Sequence, residues 1–214
     1  WLHYGHDIEI ARATEDVDFA LAVDWQGFSA ARDALVATGL FEPLRNVTHR
    51  LRHRKFGWID LIPFGAVERA DGTIAWPPSG DEVMQVLGYV EAHAAAIPIA
   101  LPDNQTVQAV SLPMLAVLKV LAWKDRHRST QGKDAVDLAL IMRCYLEVGN
   151  LNRLYADYAY IINENFNFES TNAWLLGRDA RAQLIEHSAR LDGMIGALDA
   201  VLALEIDADG AQAL

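Results

Sequence analysis

Residues 12–19 read RATEDVDF, and the two aspartates near its end decide the fold. Asp16 and Asp18 stand one residue apart at the start of DVDFALAVD, an alternating run rich in Val, Phe and Leu. That texture predicts a strand over residues 16–23. Acidic residues are poor strand formers and cost free energy to bury. Side chains two apart on a strand point the same way, so both carboxylates share one face, roughly 6–7 Å apart. Like charges at that spacing repel unless a cation sits between them. A divalent ion suits the position, because Mg²⁺ takes a few carboxylates and completes its shell with water and phosphate oxygens.

A third carboxylate, Asp60, lies in the apolar segment WIDLIPF. Ile59 and Leu61 flank it and are expected on the opposite, core-facing side. A neighbouring strand would bring Asp60 beside the first pair. Three such carboxylates are the smallest cradle for two metals in an in-line phosphoryl displacement. The alternative is a set of solvated carboxylates at a strand edge.

Outward from this pair, SAARDALVATG predicts a helix with Ser29 as its cap and Gly39 as its end. VTHRLRHR and GWIDLIPF predict two strands around a turn near residues 55–57. WPPSGDE is a loop, with Ser79 or Asp81 expected to start a short helix through Tyr89. AAIPIAL and TVQAVSL predict a second hairpin around PDN. From Pro113 the texture turns helical: PMLAVLKVLAWKDR, KDAVDLALIMRCYLEVG ending near Gly149, LNRLYADYAYIIN, then helices to about Leu204. The aromatic residues of LYADYAYIINENFNF fall at helical spacing and are read as packing groups.

The chain has 214 residues and a formal net charge of −11, which argues against broad coating of nucleic acid but not against a local basic site. Such a site is present. RNVTHRLRHRK holds Arg45, Arg50, Arg52, Arg54 and Lys55. Alternation puts Arg50, Arg52 and Arg54 on one face, where they are candidates for gripping an acceptor backbone; the alternative is a charged edge strand, or partners for the chain's many acidic groups. The single cysteine, Cys144, excludes an internal disulfide and is read as a core thiol. The histidines of HYGH and HRLRH lack zinc-site spacing and are read as surface groups. No run of ~20 apolar residues predicts a membrane span, no signal peptide is recognised, and a reducing cytoplasm is the expected location. Because the first residue is Trp1, a preceding segment is expected.

ARATEDVDFAL resembles the signature of polymerase-β-like nucleotidyltransferases, in the AbiEii-like abortive-infection toxin branch. Arg12, Thr14, Asp16, Val17, Asp18 and Phe19 match its Arg-x-Thr-x-Asp-Val-Asp-Phe pattern. WIDLIPFG is similar to the strand bearing that family's third carboxylate, which maps to Asp60. LPMLAVLKVLAWKDRHRSTQGKDAVDLALI resembles its later helical segment, with Lys119, Arg126, Lys133, Asp134 and Asp137 on the family pattern. The glycine turn that holds nucleotide phosphates is not in this sequence.

The resemblance implies an α+β fold: a nucleotidyltransferase-type mixed β-sheet with flanking helices over residues 1–112, a helical region over 113–205 and a flexible tail over 206–214. It implies Mg²⁺- or Mn²⁺-dependent transfer of a nucleotidyl group from a nucleoside triphosphate to a hydroxyl on RNA, protein or a small molecule. Asp16, Asp18 and Asp60 would hold the metal, and Asp60 would help deprotonate the acceptor. Arg12 and Thr14 would lie near the phosphates. Lys119 would neutralise the triphosphate, sharing a helix face with Trp123 and Arg126. Asp137 would belong to the nucleotide site or pair with Lys133 or Lys119. A bacterial toxin–antitoxin or phage-defence setting, with a cognate antitoxin as partner, is implied too. The alternative is a degenerate member that binds a nucleotide or protein without catalysis.

Overall fold

The computed structural model describes residue 8, residues 16–101, 104–126 and 132–187, and residues 192, 194–196, 198 and 199. Arg12, Thr14, most of the last predicted helix and the tail lie outside the described residues. The chain divides into two compact units, one of residues 11–90 and one of residues 91–214 with the first ten.

The first unit is built on β1 (Asp16–Ala22), α1 (Trp25–Ala37), β2 (Phe41–Leu44), β3 (Val47–His53) and β4 (Gly57–Phe64). Its sheet runs β1-β4-β3-β2. β1 and β4 are parallel, whereas β3 is antiparallel to both β4 and β2. The sheet is therefore mixed, as the resemblance implies. Phe28 of α1 packs in one cluster with Leu51 of β3, Leu61 of β4, Ile74 and Trp76, and Ile59 is packed against it. Trp25, Phe28 and Trp76 meet edge to face, with ring centroids 5.5–6.0 Å apart, the arrangement aromatic quadrupoles favour. β1 is a sheet edge, which explains why Val17 and Phe19 remain exposed.

Two local readings need correction here. α1 starts at Trp25 rather than near Ser29, because the Asp24 carboxylate accepts from the Gly27 amide at 2.7 Å and caps the helix. Ser29 is already inside α1, its hydroxyl donating to the Trp25 carbonyl. The short helix expected from Ser79 or Asp81 is instead a strand: β5 (Thr73–Ala75) pairs with β6 (Val83–Gln85), Ile74 facing Met84. A helix, α2 (Tyr89–Ala94), follows only after it.

The second unit opens with the antiparallel pair β7 (Ile97–Ala100) and β8 (Thr106–Ala109), as the sequence predicts. α3 (Leu112–Arg126), α4 (Lys133–Cys144) and α6 (Phe168–His187) pack on one another. α5 (Leu151–Asp157) and a 3₁₀ turn (Ala159–Ile161) connect α4 to α6. α4 stops at Cys144, earlier than its apolar pattern suggests. A wide turn follows, in which Val148 and Gly149 leave helical dihedrals, with Gly149 at φ +92°. Leu112, Ile141, Cys144, Leu146, Leu154 and Leu175 share this unit's core.

Candidate functional site

The register of the first sheet sets two rows of side chains across one face. Asp18 on β1 is level with Asp60 on β4, and Asp60 is level with Arg50 on β3. Two residues along, Asp16 is level with Trp58, Trp58 with Arg52, and Arg52 with Glu42 on β2. Strand neighbours lie ~4.8 Å apart across the ladder. Asp16, Asp18 and Asp60 therefore share a face on two adjacent strands, and Arg50 shares it with them.

Arg50 is the cation among these carboxylates. Its Nε donates to Asp60 Oδ1 at 2.7 Å, and its Nη2 donates to Oδ2 of the same carboxylate. The same Nη2 lies 3.8 Å from Asp16 Oδ2. Asp60 is 7% exposed, and a carboxylate so withdrawn from water needs a partner. A bidentate guanidinium is the strongest partner a side chain can offer. The pairing acts back on Arg50: its hydrogen bond to Asp60, then the charges of Asp60, Asp16 and Asp18, raise its pKa against the opposing effect of burial. Asp18 is exposed and Asp16 half-buried, so the face grades from a buried, paired carboxylate to accessible ones.

The other arginines of the basic stretch also have neighbours. The Arg52 guanidinium lies 5.9 Å from the Trp58 ring centroid, within cation–π range. β3 ends at His53, so Arg54 sits in the turn rather than on the strand face with Arg50 and Arg52; its Nε reaches Glu42 at 3.2 Å. Phe56, at the hairpin end, is 82% exposed and stacks on His53.

In the second unit, Lys119 on α3 bridges two carboxylates of α4. Its Nζ is 2.7 Å from Asp137 Oδ2 and 3.4 Å from Asp134 Oδ1. Arg126, two turns along α3, holds Asp134 with two bonds of 2.8 Å. The Asp134 side chain has no solvent exposure. Burial pushes its pKa up, but the hydrogen bonds and charge of Arg126, with Lys119, override that and hold it below the usual carboxylate value.

Of the residues the sequence singles out, Asp16, Asp18, Asp60 and Arg50 meet on one sheet face, and Lys119 and Asp137 meet between α3 and α4. Arg12 and Thr14 are outside the described residues. Sequence reasoning weighed the basic stretch as partners for acidic groups but did not name the Arg50–Asp60 pair. It also gave Asp134 no role beyond the pattern, although that residue is the buried centre of the helical cluster. A signal for the first exists: a hairpin centred on Lys55 sets residues equidistant from it opposite each other, and Arg50 and Asp60 are such a pair.

The profile of the family described as "Nucleotidyl transferase AbiEii toxin, Type IV TA system" matches residues 1–208. A search of curated proteins returned no match, and neither did a search of solved structures.

Proposed function

The chain belongs to the AbiEii family of nucleotidyltransferase toxins of type IV toxin–antitoxin systems, and we propose that the Asp16–Asp18–Asp60 face is its reaction site. Membership makes the chain a nucleotidyltransferase with a nucleotide substrate and an antitoxin counterpart. The finer reading is transfer from a nucleoside triphosphate to an acceptor hydroxyl with Mg²⁺ or Mn²⁺. The observation that carries it is the register: Asp18 level with Asp60, and Asp16 on the same side of β1.

The residues suit a hard divalent ion in kind, being three carboxylates on adjacent strands of one face. Among the described residues, no three histidine, cysteine or acidic groups already converge into a cage, and Arg50 engages Asp60. Bound there, the ion would neutralise charge on the triphosphate and on the leaving pyrophosphate. The protein's own share is positional. Asp16 and Asp18, at the sheet edge, offer oxygens to whatever enters from solvent. Asp60, fixed by its burial, is the group placed to take the acceptor hydroxyl's proton as that oxygen attacks the α-phosphorus. Lys119, held against Asp137 in the second unit, is a nucleotide-binding candidate by the family resemblance, in which a compact ammonium serves as a point charge.

Arg54 and Lys55 are exposed positive groups at the hairpin end, which favours an anionic acceptor such as RNA. A triphosphate substrate would favour a cytoplasmic location. No helix among the described residues is long and apolar enough to cross a membrane.

The test is incubation with each α-labelled triphosphate, Mg²⁺ and total RNA. Label should pass to an acceptor with the native chain, and Asp18→Asn should reduce the rate at least about a hundredfold. Undiminished transfer by Asp18→Asn would refute the site. Nucleotide binding with no transfer under any condition would leave the non-catalytic alternative.

A further inference from the structure

We propose that Arg50 is an internal stand-in for the metal: it holds Asp60 in the metal-free protein and competes with the ion for that carboxylate. The inference rests on the metal reading above.

Three observations carry it. First, Asp60 is 7% exposed and both of its oxygens receive hydrogen bonds from one guanidinium. The charge compensation a buried carboxylate needs is thereby supplied from within the chain. Second, that guanidinium is not buried with it. The Arg50 side chain is 34% exposed against 10% for Asp60, so it can turn toward water without taking the carboxylate along. Third, a second acceptor is already at hand, because Asp16 Oδ2 lies 3.8 Å from Arg50 Nη2. Arg50 thus faces the same carboxylates that would ligate an ion.

A guanidinium and a divalent ion are both cations, and each lowers the affinity of Asp60 for the other. The competition has a use. Arg50 fixes the Asp60 rotamer before any ion arrives, which is preorganisation of a ligand at a rigid strand position. It also sets a threshold: an ion that enters must offer more than one arginine does. Arg50 acts through Asp60 and is therefore a positioning residue.

Mn²⁺ alone, titrated calorimetrically and followed by thermal shift, tests the idea on the full chain. Arg50→Met, which keeps the length of the side chain and removes its charge, should bind Mn²⁺ about tenfold more tightly than the native protein, the order expected for removing a like charge within a few ångströms. Its metal-free form should melt at a lower temperature and gain more from Mn²⁺. Arg50→Lys, retaining charge but not the two-pronged contact, should fall between. A merely structural role for Arg50 would weaken Mn²⁺ binding along with the fold. Unchanged or weaker binding in Arg50→Met therefore overturns the proposal; if that variant does not fold, Arg50→Lys decides by the same criterion. Absence of Mn²⁺ binding in the native chain and all variants would instead defeat the metal reading beneath it.

Discussion

Asp134 shows what one buried charge demands. Its side chain is wholly withdrawn from solvent, and it persists there because Arg126 and Lys119 surround it with donors. Breaking a buried pair costs about 3–5 kcal/mol when the surviving charge stays desolvated. Arg126 is 49% exposed and can turn to water once its partner is gone, so Asp134→Ala should destabilise the protein by about 2–3 kcal/mol, at or below the bottom of that range. Urea unfolding of the native chain and the variant measures it, and a difference below about 0.5 kcal/mol would place Asp134 among ordinary surface substitutions. Lys119→Met is different in kind. Lys119 is 22% exposed and mainly contacts Asp137, itself 24% exposed, so it should lose well under half as much stability. If Lys119 serves the triphosphate, the same variant should raise the KM for nucleotide several-fold, an effect Asp134→Ala would mix with loss of fold.

Elements were legible where local pattern and turn chemistry agree, and obscure where pairing is remote. The turn after α4 is a mixed case, its glycine legible but the helix stopping earlier, at Cys144, than the apolar pattern suggests. Gly149 adopts φ +92° with open space where a Cβ would stand, so an added methyl meets no neighbour and suffers only the backbone's own preference. Gly149→Ala should therefore cost about 1–2 kcal/mol, the usual price of a left-handed dihedral in a residue with a Cβ, and Gly149→Asn less. Equal melting temperatures for glycine and alanine forms would refute this. The β3–β4 hairpin was readable, its alternation and turn both present in the sequence. β2 was not, since FEPL is four residues long and carries Pro43, tolerable only because β2 is a sheet edge. The start of α1 was hidden because Trp25 and Gly27 are not strong helix formers; a cap at Asp24 outweighs them. β6 was hidden because its three residues become a strand only opposite β5. In the site, the common face of Asp16 and Asp18 followed from the two-residue period of a strand. Arg50 was read with its basic neighbours as one surface, since its partner is ten residues away and becomes visible only through pairing.

At the scale of the molecule, a chain of net charge −11 uses several part-exposed cations to compensate its own buried carboxylates. That choice makes stability depend on acid. In the second unit, Asp179 accepts two hydrogen bonds from Arg153, at 2.8 and 2.9 Å, and one from the Tyr145 hydroxyl at 2.6 Å. The cluster ties the residue after α4 to α5 and α6. Burial raises the Asp179 pKa, but the Arg153 and Tyr145 hydrogen bonds and the Arg153 charge outweigh it and hold the group below its ordinary value. Asp134 is displaced the same way. A carboxyl with a depressed folded pKa binds protons more readily when unfolded, so acid favours unfolding. Its stabilising share is complete above the unfolded value, about 3.9, and drains away as pH falls through the lower folded value. Melting temperature against pH should accordingly be nearly flat from neutral to about pH 5 and fall increasingly below about pH 4. Asp179→Asn, which cannot titrate, should be less stable than the native chain near neutrality and should fall less steeply in acid, so that the two curves converge. Parallel curves down to pH 2.5 would mean that proton uptake at Asp179 contributes nothing to acid unfolding, and that the tie between these helices rests on packing alone.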